Sequence, residues 1–410
     1  RRLELAKLQQ ERNHRIICPP AFHAAGEDRV VAVTEHYVSV PVFRDGRDDN
    51  QCIDVFFRIV EVVKDPFRDF LQSLNDVSPH ERAWLYIERT ALKNANRCLL
   101  YLQGGPGFGA PAPVVSLGVT KGSGSWADAA LHHFGYKLVL LDQRGTGRST
   151  PITKQTLQRK FPDFGKNDAL DGVVALEEKS RIEESVGQVA DFLAQFRADN
   201  IVQDAEYIRE ALLLDSLDDD DDGGKLPRPW GCSLGQSYGG FCQMTYLSQV
   251  EHPPKIVLFT GGIAPMLSNI DDIYSILWDR VKERSLRYYE MYPGDIALVK
   301  RIVQRLLDEP VGLPSGGRLT ARRFLSLGLA LGGTPSAFAS FHELLSTAFL
   351  TDSSEFAKAF LKDVESRQSF DDHPIYFWLH ESIYADGPER SPTNWAAHRT
   401  FERKVQESPE

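Results

Sequence analysis

The chain has 410 residues, 42% hydrophobic and 25% charged, with 47 Lys and Arg against 57 Asp and Glu for a formal net charge of −10. That length points to two domains or to one large domain with an insertion. The acidity offers no basic face for nucleic acid, and no apolar stretch has the length of a membrane span.

Cys18, Cys52, Cys98, Cys232 and Cys242 are scattered, odd in number and free of any Cys-x-x-Cys pair. No disulfide framework or zinc site is expected, and a reducing, cytoplasmic setting fits. No signal peptide is visible, although the chain opens on Arg-Arg rather than Met.

Residues 1–30 are polar and then rich in Pro, Ala and Gly, which reads as a peripheral N-terminal arm. Two β-branched, partly alternating runs follow at 31–43 and 53–63 and predict paired strands. The polar stretch 65–96 reads as partly helical. Residues 97–103 form a short apolar run that stops at Gly104-Gly105-Pro106-Gly107, the pattern of a buried strand running into a tight loop. A helix is predicted over 123–134 and an apolar strand over 136–141, ending in Asp142-Gln143-Arg144-Gly145.

A long helical region is predicted over 176–214, with apolar residues on one face. The run of aspartates at 218–222 reads as a solvated loop. Consecutive aspartates lack the spaced ligands of a calcium loop. A strand at 230–234, a helix at 238–251 and a strand at 255–261 complete an alternation that specifies a parallel sheet with helices on both faces, hence an α/β fold. From 266 to 410 the periodicity is helical and almost free of strand. The expected division is therefore an arm over 1–30, an α/β core over 31–265 and a helical unit over 266–410.

Gly235-Gln236-Ser237-Tyr238-Gly239 lies where that strand becomes a helix, and it matches the nucleophile-elbow pattern Gly-x-Ser-x-Gly. A strand that turns at once into a helix strains the backbone at the serine. Glycines two residues to either side remove the clashes a side chain would make there. The helix start and the Tyr238 N–H then point at a developing oxyanion. The Gly-rich loop after the 97–103 strand offers the second donor, Gly105 first and Gly104 second. An ordinary structural turn is the plain alternative for either motif taken alone.

Three stretches together, 99–111 (LLYLQGGPGFGAP), 138–151 (LVLLDQRGTGRSTP) and 235–248 (GQSYGGFCQMTYLS), resemble the proline iminopeptidases of the α/β-hydrolase fold, in their longer bacterial and fungal type. Residues 196–209, 259–265 and 379–387 are similar to that type as well, so the resemblance runs from about residue 35 to the end. It implies a serine peptidase that removes an N-terminal residue, preferably proline, from peptides with a free N-terminus, without metal or organic cofactor. Ser237 becomes the nucleophile, Gly105 and Tyr238 the oxyanion donors, and 266–410 the helical cap domain. Asp142-Gln143-Arg144-Gly145 is expected to be a scaffold turn beside the site, with Asp142 and Arg144 bracing the Gly-rich loop by charge-assisted bonds or, as the alternative, contacting the substrate directly.

A free α-ammonium needs a sheltered carboxylate, and the resemblance places one at Glu381, with Glu343 as a weaker second. A lone glutamate on a helix otherwise reads as a solvated face. Phe341, Tyr376, Phe377, Trp378 and Tyr384 are candidates for a proline-sized pocket, though each taken singly reads first as plain core.

Serine needs an imidazole, and the imidazole an acid, in the chain order Ser, Asp or Glu, His. The histidines after Ser237 are His252, His342, His373, His380 and His398. None follows a predicted terminal strand, so none is expected to be the base. The acid and base are expected beyond residue 410, with the C-terminal part of the hydrolase core missing and these residues inactive alone. Two other readings stay open: a different α/β-hydrolase, such as an esterase or another aminopeptidase, and an inert scaffold without a triad. An epoxide hydrolase or dehalogenase would carry Asp where this chain has Ser237.

Overall fold

The computed structural model describes residues 14–16, 21–24, 29–45, 51–64, 97–164, 176–213, 229–265, 268–368, 370, 372–385 and 392–407. The segment 65–96 and the aspartate run 218–222, both assigned above from sequence, lie outside them. The chain divides into two compact units, Arg1–Pro265 with His373–Tyr384, and Met266–Asp372 with Ala385–Glu410.

The first unit is built on a mixed sheet. Its strands are β1 (Arg15–Ile16), β2 (Ala21–Ala24), β3 (Arg29–Pro41), β4 (Cys52–Lys64), β5 (Cys98–Leu102), β6 (Lys137–Leu141), β7 (Cys232–Gln236) and β8 (Val257–Thr260). The order is β1-β3-β4-β6-β5-β7-β8, with β2 also on β3. β3 and β4 pair antiparallel along their whole length, Arg29 opposite Lys64 and Pro41 opposite Cys52. β4 joins β6 antiparallel, and β6, β5, β7 and β8 then run parallel. The described parts of the expected peripheral arm are His14, β1, β2 and the first two residues of β3, and β1 and β2 join the sheet by pairing with β3.

Short apolar runs become central strands because both sheet faces are covered. Leu100 and Leu102 point into one core with Val139, Leu141 and Phe57. That core is closed by helices α3 (Leu176–Ala194), α4 (Ala198–Leu213) and α5 (Tyr238–Gln249). Leu99 and Tyr101 face the other way, into a second core with Leu138, Leu140 and Leu234. Helix α1 (Trp126–Asp128), continued by a π-helical turn over Ala129–His133, covers this face, and helix α2 (Lys154–Lys160) follows β6. The helical region predicted over 176–214 consists of two helices, α3 and α4, separated at 195–197.

The second unit is helical: α6 (Ile270–Met291), α7 (Asp295–Asp308), α8 (Ala321–Leu325), α9 (Ala337–Ser346), α10 (Lys358–Ser366) and α12 (Ala396–Glu407), with a small hairpin of β9 (Val311–Gly312) and β10 (Arg318–Leu319). It has its own core around Tyr288, Ile302, Phe324, Leu345 and Phe360. Helix α11 (Ile375–Leu379) belongs instead to the first unit, because Ile375 and Leu379 are buried in that unit's main core.

Candidate active site

β7 ends at Gln236 and α5 begins at Tyr238, so Ser237 alone makes the turn. Its backbone sits at φ 51° and ψ −118°, a conformation that a residue with a side chain adopts only when its surroundings enforce it. Here they do. The Ser237 N–H donates to the Thr260 carbonyl at 2.9 Å, and the Ser237 carbonyl accepts from the Gly240 N–H at 2.8 Å. A Cβ at Gly239 would run into the Leu102 carbonyl, and one at Gly235 would stand 2.5 Å from the Gly239 carbonyl.

The Gly-rich loop meets this elbow directly. A Cβ built at Gly104 would lie 3.0 Å from the Ser237 Cβ, so only a glycine lets the loop come so near. Gly105 follows at φ 130°, before a cis bond to Pro106. Neither the Gly104 nor the Gly105 N–H has a hydrogen-bond partner among the described residues. Tyr238 supplies a first-turn N–H of α5, one of the donors a helix leaves unused. Its side chain is buried, and burial, with Cys242 adding to it, pushes the phenol well above its ordinary range. Tyr238 therefore offers its backbone to a site and its ring to the core.

Beside the loop, residues 142–149 form a fixed platform. Asp142 accepts from the Ala110 N–H at 2.8 Å and from the Arg148 N–H at 2.9 Å. Burial raises its carboxyl above the usual range, and those two N–H bonds hold it back. Arg144 does not brace the Gly-rich loop. Its guanidinium lies fully buried on Asp204 of α4, with both contacts at 2.7 Å, and also donates to the carbonyls of Pro41, Val42 and Gln195. Gln143, between them, is the residue that reaches the loop. Its Nε2 donates to the Gln103 carbonyl at 3.0 Å.

The segment His373–Tyr384 packs on the same loop although it lies far along the chain. His373 Nδ1 is 3.1 Å from the Gly107 carbonyl, and its ring is 4.4 Å from that of Phe108. A Cβ at Gly107 would stand 3.0 Å from the Tyr376 nitrogen. Burial lowers the His380 pKa and the Gly105 main chain partly offsets that lowering, while the His380 Nδ1 is buried without a hydrogen-bond partner among the described residues. Its ring lies 4.5 Å from Tyr376 and 5.7 Å from Tyr384, and Tyr384 meets Phe241 of α5 at 5.6 Å. Glu381, next to His380, is buried.

Ser237, Gly104, Gly105, Tyr238, Glu381, Tyr376 and Tyr384 thus belong to one compact unit. Phe377 is exposed, and Trp378 packs edge-on against Phe164. Glu343 is exposed on α9 of the second unit, and Phe341 packs there against Tyr288. Among the described residues no histidine ring is hydrogen-bonded to the Ser237 hydroxyl. His252 faces Glu251, and His398 faces Glu402. His342 pairs with Asp295 at 2.9 Å, stacked on Tyr292, inside the second unit. No group of His, Cys, Asp and Glu among the described residues is arranged to hold a metal ion.

The sequence reading missed Gln143, His373, His380 and Phe108 as neighbours of the loop. Gln143 stood inside a quoted motif and His380 one residue before Glu381. His373 carried no local signal, because its partner is 266 residues away.

A proline iminopeptidase of Aeromonas sobria is 35% identical to this chain over 364 residues, 89% of the chain and 67% of the relative. The chain belongs to the proline iminopeptidase family. A second relative, the Aspergillus aculeatus proline iminopeptidase aneH, is 35% identical over 234 residues, 57% of the chain but only 43% of its own length. No family model matches the chain. The proline iminopeptidase alignment with the Aeromonas protein is long enough to take in most of both units.

Proposed function

We propose that the protein is an aminopeptidase that releases an N-terminal residue, preferably proline, from peptides through an acyl-enzyme on Ser237. The observation that carries this reading is the strained turn at Ser237, held against a Gly-rich loop whose leading N–H groups are unpartnered. In this reading Ser237 Oγ attacks the carbonyl of the first residue while a base takes its proton. The oxyanion is received by the N–H of Tyr238 and that of Gly105, or of its neighbour Gly104. Collapse expels the peptide amine with a proton, and water then frees the amino acid and regenerates the serine.

Glu381 is assigned to the substrate ammonium, with Phe108, Tyr376 and Tyr384 beside it as the wall for a pyrrolidine ring. The support is that Glu381, Tyr376 and Tyr384 share the segment that packs on the Gly-rich loop, where Tyr376 meets Phe108 with ring centroids 6.0 Å apart. The first unit is read as an α/β-hydrolase core and the second as its helical cap domain. The base and its acid are assigned to sequence outside these 410 residues. Three facts favour that: no described histidine serves Ser237, β8 has one side without a partner strand among the described residues, and each relative is longer than its match here. Cytoplasmic residence belongs to the same proposal. Cys52, Cys98, Cys232 and Cys242 are all free, and no described helix is long and apolar enough to cross a membrane.

The test is hydrolysis of proline β-naphthylamide by the full-length protein and by its Ser237→Ala variant. The variant is expected to fold and to lose turnover. Turnover retained by Ser237→Ala would overturn the mechanism. Faster cleavage of p-nitrophenyl acetate than of the prolyl amide would favour an esterase.

A further inference from the structure

We propose that Gln143 is a positioning residue for the oxyanion hole, one that sets the direction of the Gly104 N–H through the peptide that opens the Gly-rich loop. The inference rests on the reading of Ser237 as nucleophile and takes the Gly104 N–H, the second of the two loop donors named above, as a donor to its oxyanion. Gln143 Nε2 donates to the Gln103 carbonyl at 3.0 Å. The opposite orientation of the amide would set oxygen against oxygen, so the contact itself fixes which end donates. That carbonyl and the Gly104 N–H are two ends of one peptide unit. A planar trans peptide points them in opposite directions, so a bond that holds the carbonyl also aims the N–H. The aimed N–H belongs to the residue whose Cβ position is 3.0 Å from the Ser237 Cβ.

An aiming device must itself be rigid, and Gln143 is. Its backbone carbonyl accepts from the Thr146 N–H at 3.0 Å and the Thr146 hydroxyl at 2.7 Å. The Asp142 N–H is bonded to the Phe56 carbonyl at 3.0 Å, and the Arg144 fork is locked on Asp204. The second anchor on Gln103 is the Tyr101 hydroxyl, which donates to Gln103 Oε1 at 2.6 Å. The loop is therefore held at both its main chain and its side chain before it reaches Gly104.

The cost of this arrangement also points to a role beyond stability. Gln143 is 1% exposed, and its Oε1 is buried without a hydrogen-bond partner among protein atoms. A buried amide satisfied at one end is a poor choice for folding alone, since an apolar side chain of the same shape would leave no orphaned oxygen. What a methionine there could not do is hold the Gln103 carbonyl.

Gln143→Met in the full-length protein separates the two roles. With proline β-naphthylamide, kcat is expected to fall about 10- to 100-fold, approaching the loss seen when an oxyanion donor is removed. KM and inhibition by free proline should stay within about twofold of wild type, because an interaction realised only in the transition state leaves ground-state binding alone. The melting temperature should be unchanged or higher. A wild-type kcat, or a fall in kcat matched by weaker proline binding and lower melting temperature, would overturn the proposal. Gln143→Glu provides an independent reading. Only its protonated carboxyl can donate to Gln103, so its kcat relative to wild type should recover as pH falls. A ratio that stays low at every pH counts against the role. If Ser237→Ala retains turnover, both this inference and the reading beneath it are lost. If Ser237→Ala is dead and Gln143→Met is fully active, only the positioning role is lost.

Discussion

Glu381 is a carboxylate buried in a segment whose neighbouring rings, Tyr376, His380 and Tyr384, are each only half-buried. In the proposed reading Glu381 receives the substrate α-ammonium, a charge-assisted contact that needs the carboxylate and not merely its shape. Glu381→Gln keeps the shape and removes the charge. It should raise KM for proline β-naphthylamide by about tenfold or more, the range of a charge-assisted hydrogen bond worth roughly 1.5–3 kcal/mol. Turnover of p-nitrophenyl acetate, which has no ammonium, should be unaffected. Equal loss on both substrates would make Glu381 a structural residue. At this scale the sequence was informative where chemistry is local. The elbow at Ser237 and the glycines at 104 and 105 are legible because a strained turn and a close approach each demand particular residues. Gln143 and His373 were not, since a glutamine or a histidine gains its meaning from a partner distant in the chain.

Between elements, the decisive link is the one from the platform at 142–149 to helix α4. Sequence pattern predicted the strand β6 and the turn after it, and it expected Arg144 and Asp142 to brace the Gly-rich loop. Asp142 does reach the main chain just past that loop, at Ala110, whereas Arg144 turns away to Asp204. No periodicity could reveal this, because the partner lies 60 residues away on another element. The ion pair is fully desolvated, with side-chain exposures of 0% and 1%, and the Pro41, Val42 and Gln195 carbonyls accept from the same fork. Arg144→Met would leave Asp204 with Arg44 alone and strand the Pro41, Val42 and Gln195 carbonyls. We expect a loss of about 3 kcal/mol or more in denaturant unfolding, the usual consequence of breaking a buried pair from one side. Arg144→Lys should recover only part of it, since an ammonium cannot reproduce the planar fork. A loss in Arg144→Met below about 1 kcal/mol would show that the pair is dispensable for holding the platform.

Across the molecule, the alternation of strand and helix up to residue 261 and the helical character beyond it were legible because hydrophobic period reports directly on secondary structure. The docking of β1 and β2 on β3 was not, because two- and four-residue strands have too short a pattern to read. That docking carries its own pH dependence. His14, just before β1, is 3.2 Å from His36 on β3, His36 is 2.7 Å from the Thr34 hydroxyl, and both rings stack with Phe57. Burial lowers His14 to about 4 and His36 well below 6.5, the latter further disfavoured by His14. Both are neutral in the folded chain at pH 7, while in the unfolded chain they titrate near the ordinary histidine value of about 6.5. Below that value the unfolded state binds more protons than the folded one, so stability falls as pH falls. The contribution is complete above about pH 6.5 and is lost progressively toward pH 4 as the unfolded histidines charge. The melting temperature should therefore drop by several degrees between pH 7 and pH 4.5. Carboxylates elsewhere add their own acid dependence, which a paired comparison removes. His36→Gln keeps a hydrogen-bonding side chain beside Thr34 and has nothing to protonate, so its melting temperature should fall less steeply over that interval than that of the wild type. Parallel curves for the two proteins would show that the buried histidine pair does not set the acid limit of this sheet.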